Sequence, residues 1–147
     1  MLSRLIVTLS VVPFLVLTPV LEIGATHVLN PAWPAHARLH EVWQLATNCG
    51  IAILILFLAW VRREERLAAI VGLPVTGGFF VALSLAPLYG GSMRHADGTE
   101  LAFLGVNLGT LIMGFSMLGL SFVIFGSRGP ARDSGVAQAK LEVETKS

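Results

Sequence analysis

The sequence predicts an all-α polytopic membrane protein, an antiparallel bundle of four transmembrane helices. Three observations predict it. The chain is 54% hydrophobic and 13% charged, where a soluble domain carries about 25% charge. Its apolar residues gather in four runs, Leu5–Ile23, Val42–Val61, Leu67–Tyr89 and Leu101–Phe125. Each run approximates the ~20 residues that cross a hydrocarbon core of roughly 30 Å as a helix, and none has an acidic or basic residue in its middle. The 147 residues make one domain, residues 1–126, followed by a polar tail, residues 127–147.

The first run has one competing outline. Arg4, an apolar stretch and the small pair Gly24-Ala25 resemble a secretion signal over residues 1–25. The run exceeds the 7–15 residues of a signal core. Pro19 and Glu22 also occupy the place of a cleavage region, so the run is read as a helix of the bundle.

Residues 24–41 follow. This loop holds His27, His36 and His40, with Asn30-Pro31 and Trp33-Pro34 between them. The prolines fix two φ angles and push the preceding residues toward extended geometry. The loop is therefore expected to be stiff, as a site must be if it holds side chains at set distances. Trp33 also suits the headgroup level of a membrane, where Trp is enriched. From Ala35 the chain can be helical, which puts His36 and His40 on one face at i and i+4.

The second run continues that helix. His40, Glu41, Gln44, Thr47 and Asn48 recur at spacings of three and four and form a polar stripe. Polar groups at depth are costly and usually face the bundle interior. Thr18 and Glu22 of run one, Thr76 and Ser84 of run three, and Asn107 and Thr110 of run four extend this polarity. A polar-lined outer pocket above a sealed apolar half is the expectation, and a sealed half argues against a channel.

The link Arg62-Arg63-Glu64-Glu65-Arg66 reads as a tight turn between antiparallel helices. Run three carries Pro74 and Pro87 beside Gly72, Gly77 and Gly78. Freed carbonyls at such prolines are met by neighbours. Gly105 and Gly109 form a GxxxG in run four, a spacing that brings helices close. Residues 90–100, which include His95, Asp97 and Glu100, have ordinary turn composition. The tail carries Gly, Pro, Ser and scattered charges and reads as disordered.

Arginines set the orientation. Arg4, Arg62, Arg63, Arg66, Arg128 and Arg132 share one side, against Arg38 and Arg94 on the other. The positive-inside bias puts both termini in the cytoplasm, as in a bacterial inner-membrane protein. All four histidines then lie outside. The net charge of +1 argues neither for nor against nucleic acid, but there is no basic patch to hold a phosphate backbone, so no nucleic-acid partner is expected. A single cysteine, Cys49, excludes an internal disulfide and a cysteine-rich metal site.

The string Thr26-His27-x-x-Asn30-Pro31-x-Trp33-Pro34-x-His36-Ala37-Arg38-x-His40 resembles the signature of a family of small uncharacterised four-helix integral membrane proteins of bacteria and fungi. The match covers the first two helices and their loop, and the second half in general plan. It implies a location for the site and no reaction. In size and plan the chain is also similar to the emopamil-binding-protein-like group. Some of its members are sterol isomerases that use membrane-buried carboxylates, a histidine and a tryptophan. No catalytic pattern aligns, so no residue is carried over.

Two function classes follow. The first is an enzyme doing acid–base chemistry on an apolar small molecule or lipid. Glu22 and Glu41 are its candidate acids and His36 or His40 its base. A carboxyl at a membrane boundary loses hydration, which favours its protonated, donating form. His27, Asn30, Trp33, Arg38, Gln44, Asn48 and Asn107 are candidate ligand-binding residues. The second class binds without converting, as a metal carrier or a small accessory subunit. His27, His36, His40 and His95 are the candidate ligands of a divalent zinc, copper or iron ion. The partners implied are the lipid bilayer, an apolar small molecule or lipid, and further copies of the chain or a larger membrane complex.

Overall fold

The computed structural model describes residues 1–94 and 98–126. Four helices account for most of them: α1, Leu2–Glu22; α2, Ala35–Trp60; α3, Glu65–Tyr89; and α4, Leu108–Gly126. All four are long and apolar enough to cross a membrane. The helices pack in the order α1, α2, α3, α4 and back to α1, and α1 also meets α3. The short link after Trp60 forces α2 and α3 antiparallel. Residues 127–147, read above as a tail, and His95 and Asp97 lie outside the described residues.

The core sits toward the end of the bundle where α1 and α3 begin. Val7, Val11, Ile55, Ala59, Ala68, Leu120 and Val123 are buried there. Gly119 brings α4 against α1, since a Cβ on it would lie 2.7 Å from Ser10 Oγ. Two polar contacts fasten the same end. Arg4 Nε donates to Glu65 Oε1 at 2.6 Å, and Trp60 Nε1 donates to Thr8 Oγ1 at 2.9 Å.

Proline shapes α1. The helix widens to a π-turn over Pro13–Leu17, where Thr18 N–H and Oγ1 both reach the Pro13 carbonyl. Pro19 has no N–H to offer the carbonyl four residues back, which is Leu15. Cys49 Sγ of α2 donates to that carbonyl at 3.8 Å. The lone cysteine thus meets a backbone group that proline leaves open. Helix α3 runs unbroken through Pro74 and Pro87.

Helix α2 begins at Ala35, immediately after the extended Pro34, so the apolar run Val42–Val61 is the continuation of a helix that starts where the sequence reading allows it. One boundary differs from that reading. Run four does not begin as helix. Its first residues form a small hairpin, β1 (Ala102–Phe103) paired antiparallel with β2 (Val106–Asn107). Leu104 and Gly105, at φ 52° and 79°, make the turn between them. A two-residue turn with both φ positive matches the twist of a hairpin, and glycine adopts it freely. Gly105 is therefore a turn residue, and the expected GxxxG does not lie on one helix face.

Candidate functional site

The end opposite the core gathers Glu22, His27, His36, His40 and Glu41. Glu22 closes α1, and its carbonyl accepts from Gly24 N–H at 2.9 Å and Val28 N–H at 3.1 Å. Further main-chain bonds run from Leu29 to Gly24, Asn30 to His27 and Trp33 to Asn30. Asn30 Oδ1 accepts from Ala32 N–H at 2.9 Å. The loop is a chain of turns, which gives the expected stiffness a hydrogen-bonded cause. Asn30 serves in it as a turn former.

These turns fold His27 back onto Glu22. His27 Nδ1 lies 3.3 Å from Glu22 Oε2 and 3.0 Å from Thr26 Oγ1. Trp33 meets the His27 ring edge to face, with centroids 5.2 Å apart at 85°. Glu41, in the second turn of α2, is within electrostatic reach of both Glu22 and His27. All four residues are half-buried. Glu22, His27 and Trp33 thus meet directly, and Glu41 of α2 lies within electrostatic reach of the carboxyl and the imidazole. Val20, Leu21, Ile23 and Leu29 expose apolar surface around them.

His36 and His40 form a second group. Their Nε2 atoms are 3.0 Å apart and their rings meet at 84°. Such a bond needs one ring to donate and the other to present a lone pair. His40 also stacks on Trp43 at 5.9 Å. Both histidines are exposed. Among the described residues they pair with each other and not with a carboxylate. The base beside the two carboxyls is His27, which the sequence reading placed among the ligand-binding and metal residues. Arg38 is half-buried on the same turn of α2.

The polar stripe does not line the bundle interior. His40, Trp43, Gln44, Thr47 and Asn48 line a shallow, open depression on the outer surface of α2. Gln44 and Thr47 are exposed, and Asn48 is half-buried. The inward positions of α2 are instead Leu45, Ala52, Ile55 and Ala59. Close packing of four helices leaves little room for amides at the seam.

Asn107 is a helix cap. Its Oδ1 accepts from Gly109 N–H at 2.8 Å and Thr110 N–H at 3.4 Å, at the start of α4. Thr18, Thr76 and Ser84 return their hydroxyls to carbonyls of their own helices. In the second loop, Arg94 Nε pairs with Glu100 Oε2 at 3.4 Å. Among the described residues no three His, Cys, Asp or Glu side chains converge to hold a metal ion. The expected four-histidine set also needs His95, which lies outside those residues.

Comparison with family models, with curated proteins and with solved structures finds no match for this chain.

Proposed function

We propose that the chain is an integral membrane enzyme that moves a proton on an apolar small molecule or lipid, at the outer boundary of the bilayer. The observation that carries this reading is the Glu22–His27–Glu41 cluster, with 3.3 Å between His27 Nδ1 and Glu22 Oε2. A carboxyl and an imidazole held side by side supply an acid and a base within one site. One carboxyl delivers a proton to a carbon–carbon double bond, and His27 or the other carboxyl removes one from the adjacent carbon. The double bond shifts, protons balance, and no further reactant is needed. The exposed Val20, Leu21, Ile23 and Leu29 give an apolar chain a surface beside the cluster.

The arginine asymmetry supports cytoplasmic termini, with the cluster on the outer face of a bacterial inner membrane. The resemblance of the loop motif to uncharacterised four-helix membrane proteins supports the location of the site. A second reading, metal binding without conversion, is favoured by the His36–His40 pair alone, with its two nitrogens 3.0 Å apart.

The two readings separate in one sample. Protein purified in detergent is assayed for metal by elemental analysis and for apolar molecules by mass spectrometry of a solvent extract. The proton-transfer reading expects an apolar species that the Glu22→Gln, Glu41→Gln double variant loses or holds in altered ratio. A stoichiometric metal that vanishes in His36→Gln, with no such species, sinks it.

A further inference from the structure

We propose that His36 and His40, at the start of α2, form a two-histidine site for a divalent transition-metal ion, copper(II) above the others, with water in its remaining positions. The proposal rests on the metal reading above and gives it a place and an ion. It does not depend on proton transfer at Glu22, His27 and Glu41.

The first argument is distance. Imidazole nitrogens bind such ions at about 2.0–2.1 Å. The two Nε2 atoms stand 3.0 Å apart, so two bonds of that length to one ion enclose an angle of about 91–97°. A tetrahedral ion, at roughly 109°, sets its nitrogens about 3.3–3.4 Å apart. The pair is therefore closer to two adjacent corners of a square, the arrangement that suits copper(II) and nickel(II). Of these two, copper(II) binds nitrogen ligands more tightly.

The second argument is preorganisation. Both rings stand on the first turns of one continuous helix, Ala35–Trp60, which begins directly after Pro34. The i and i+4 spacing on that backbone sets them side by side. To ligate through Nε2, a neutral histidine offers a lone pair there and carries its proton on Nδ1. Among the described residues, neither Nδ1 is held by another group. Both rings can adopt that tautomer once an ion replaces the hydrogen bond between them.

The third argument is availability. Both histidines are exposed. Among the described residues, their ring contacts are with each other and with Trp43 of the same helix. They fasten no loop to the bundle. His27 differs, because its Nδ1 faces Glu22 and Thr26 and its ring meets Trp33. The site is thus two neighbouring histidines of one helix, without His27. Two neutral ligands leave the ion its full charge. That is costly in a buried position, but on exposed rings water completes the shell.

The test uses the full chain in detergent, purified without a histidine tag. A Cys49→Ala background removes the one thiol that could reduce the ion. Copper(II) is the probe. One equivalent should bind, and pulsed electron paramagnetic resonance should count two imidazoles on it. Any other count overturns the proposal. That count is made with both histidines in place, so it stands even if a variant misfolds. His36→Gln and His40→Gln should each weaken binding at least about 100-fold, since joining two ligands on one scaffold multiplies affinity by about 10²–10⁴. Unchanged affinity in either variant also overturns it. The Glu22→Gln, Glu41→Gln double variant should bind copper as its parent does. A loss there places the ion at the carboxyls and overturns the proposal. If no copper binds, the metal reading falls together with this proposal. Copper held by other groups leaves that reading standing and sinks this proposal alone.

Discussion

Asn107 is where sequence and structure assign one residue two different jobs, and a substitution separates them. As a cap, its Oδ1 satisfies two N–H groups that α4 leaves open, Gly109 at 2.8 Å and Thr110 at 3.4 Å. The shorter bond has full strength and the longer one is weak. Losing an Asn cap to Ala costs about 1 kcal/mol, within a range of roughly 0.5–2. The expected loss for Asn107→Ala is therefore about 1 kcal/mol, or a fall of about 4 °C in the midpoint of thermal unfolding. Asn107→Asp keeps the acceptor and adds a negative charge at a helix N-terminus, which favours it. It should match the natural protein. The assay is unfolding in detergent, followed by circular dichroism, with apolar molecules extracted from the same preparations. If Asn107→Ala is as stable as the natural chain yet loses a bound molecule, Asn107 is a ligand residue and the cap reasoning is refuted.

Three further outcomes are expected. Ile55 is fully buried. Ile→Ala costs about 2–5 kcal/mol in a soluble core, but lipid is as apolar as the core and the transfer share drops out. Ile55→Ala should therefore cost only about 1–2 kcal/mol in unfolding in mixed micelles, and a loss above about 4 kcal/mol would contradict a lipid-facing reference state. The exposed His36 and His40 should each tolerate Gln within about 0.5 kcal/mol by the same assay; misfolding of either variant would make the pair structural. Cysteines at Ala32 and at Glu64, in a Cys49→Ala background, should label oppositely in intact cells with an impermeant thiol reagent, Ala32 reacting and Glu64 silent. The reverse pattern inverts the proposed orientation.

Much of the architecture is legible in the sequence because it lies in the length and hydropathy of the apolar runs. Runs of spanning length satisfy their backbones in lipid as helices, and four long helices of that length and hydropathy are found. Arg4 and Glu65 lie far apart in the chain, so their pairing depends on which helices become neighbours, and periodicity does not encode that. The hairpin at 102–107 is hidden because Leu101–Asn107 is apolar enough to pass for helix. Leu104-Gly105 followed by Asn107 is the signal that marks it, a glycine turn with a capping residue just beyond. The polar stripe is recognisable, but its direction is not. Hydropathy shows that one face of α2 differs from the rest, and only the neighbours decide which face is buried. At the site, Glu22 comes together with His27, within electrostatic reach of Glu41, because the turns around Asn30 fold the loop back. The spacing of His36 and His40 does pair them, but with each other.

The central claim is that the Glu22–His27–Glu41 cluster moves a proton on an apolar molecule. The most direct test works on whatever apolar molecules the membrane holds, without the substrate being identified beforehand. Membranes from cells making the natural chain, and from cells making Glu41→Gln, are incubated in deuterium oxide. Their lipids are extracted, returned to ordinary water and analysed by mass spectrometry. Proton transfer at a carbon leaves one deuteron that does not wash out. The account predicts an apolar species one mass unit heavier with the natural chain and unshifted with Glu41→Gln. Identical deuterium patterns in the two extracts would contradict it.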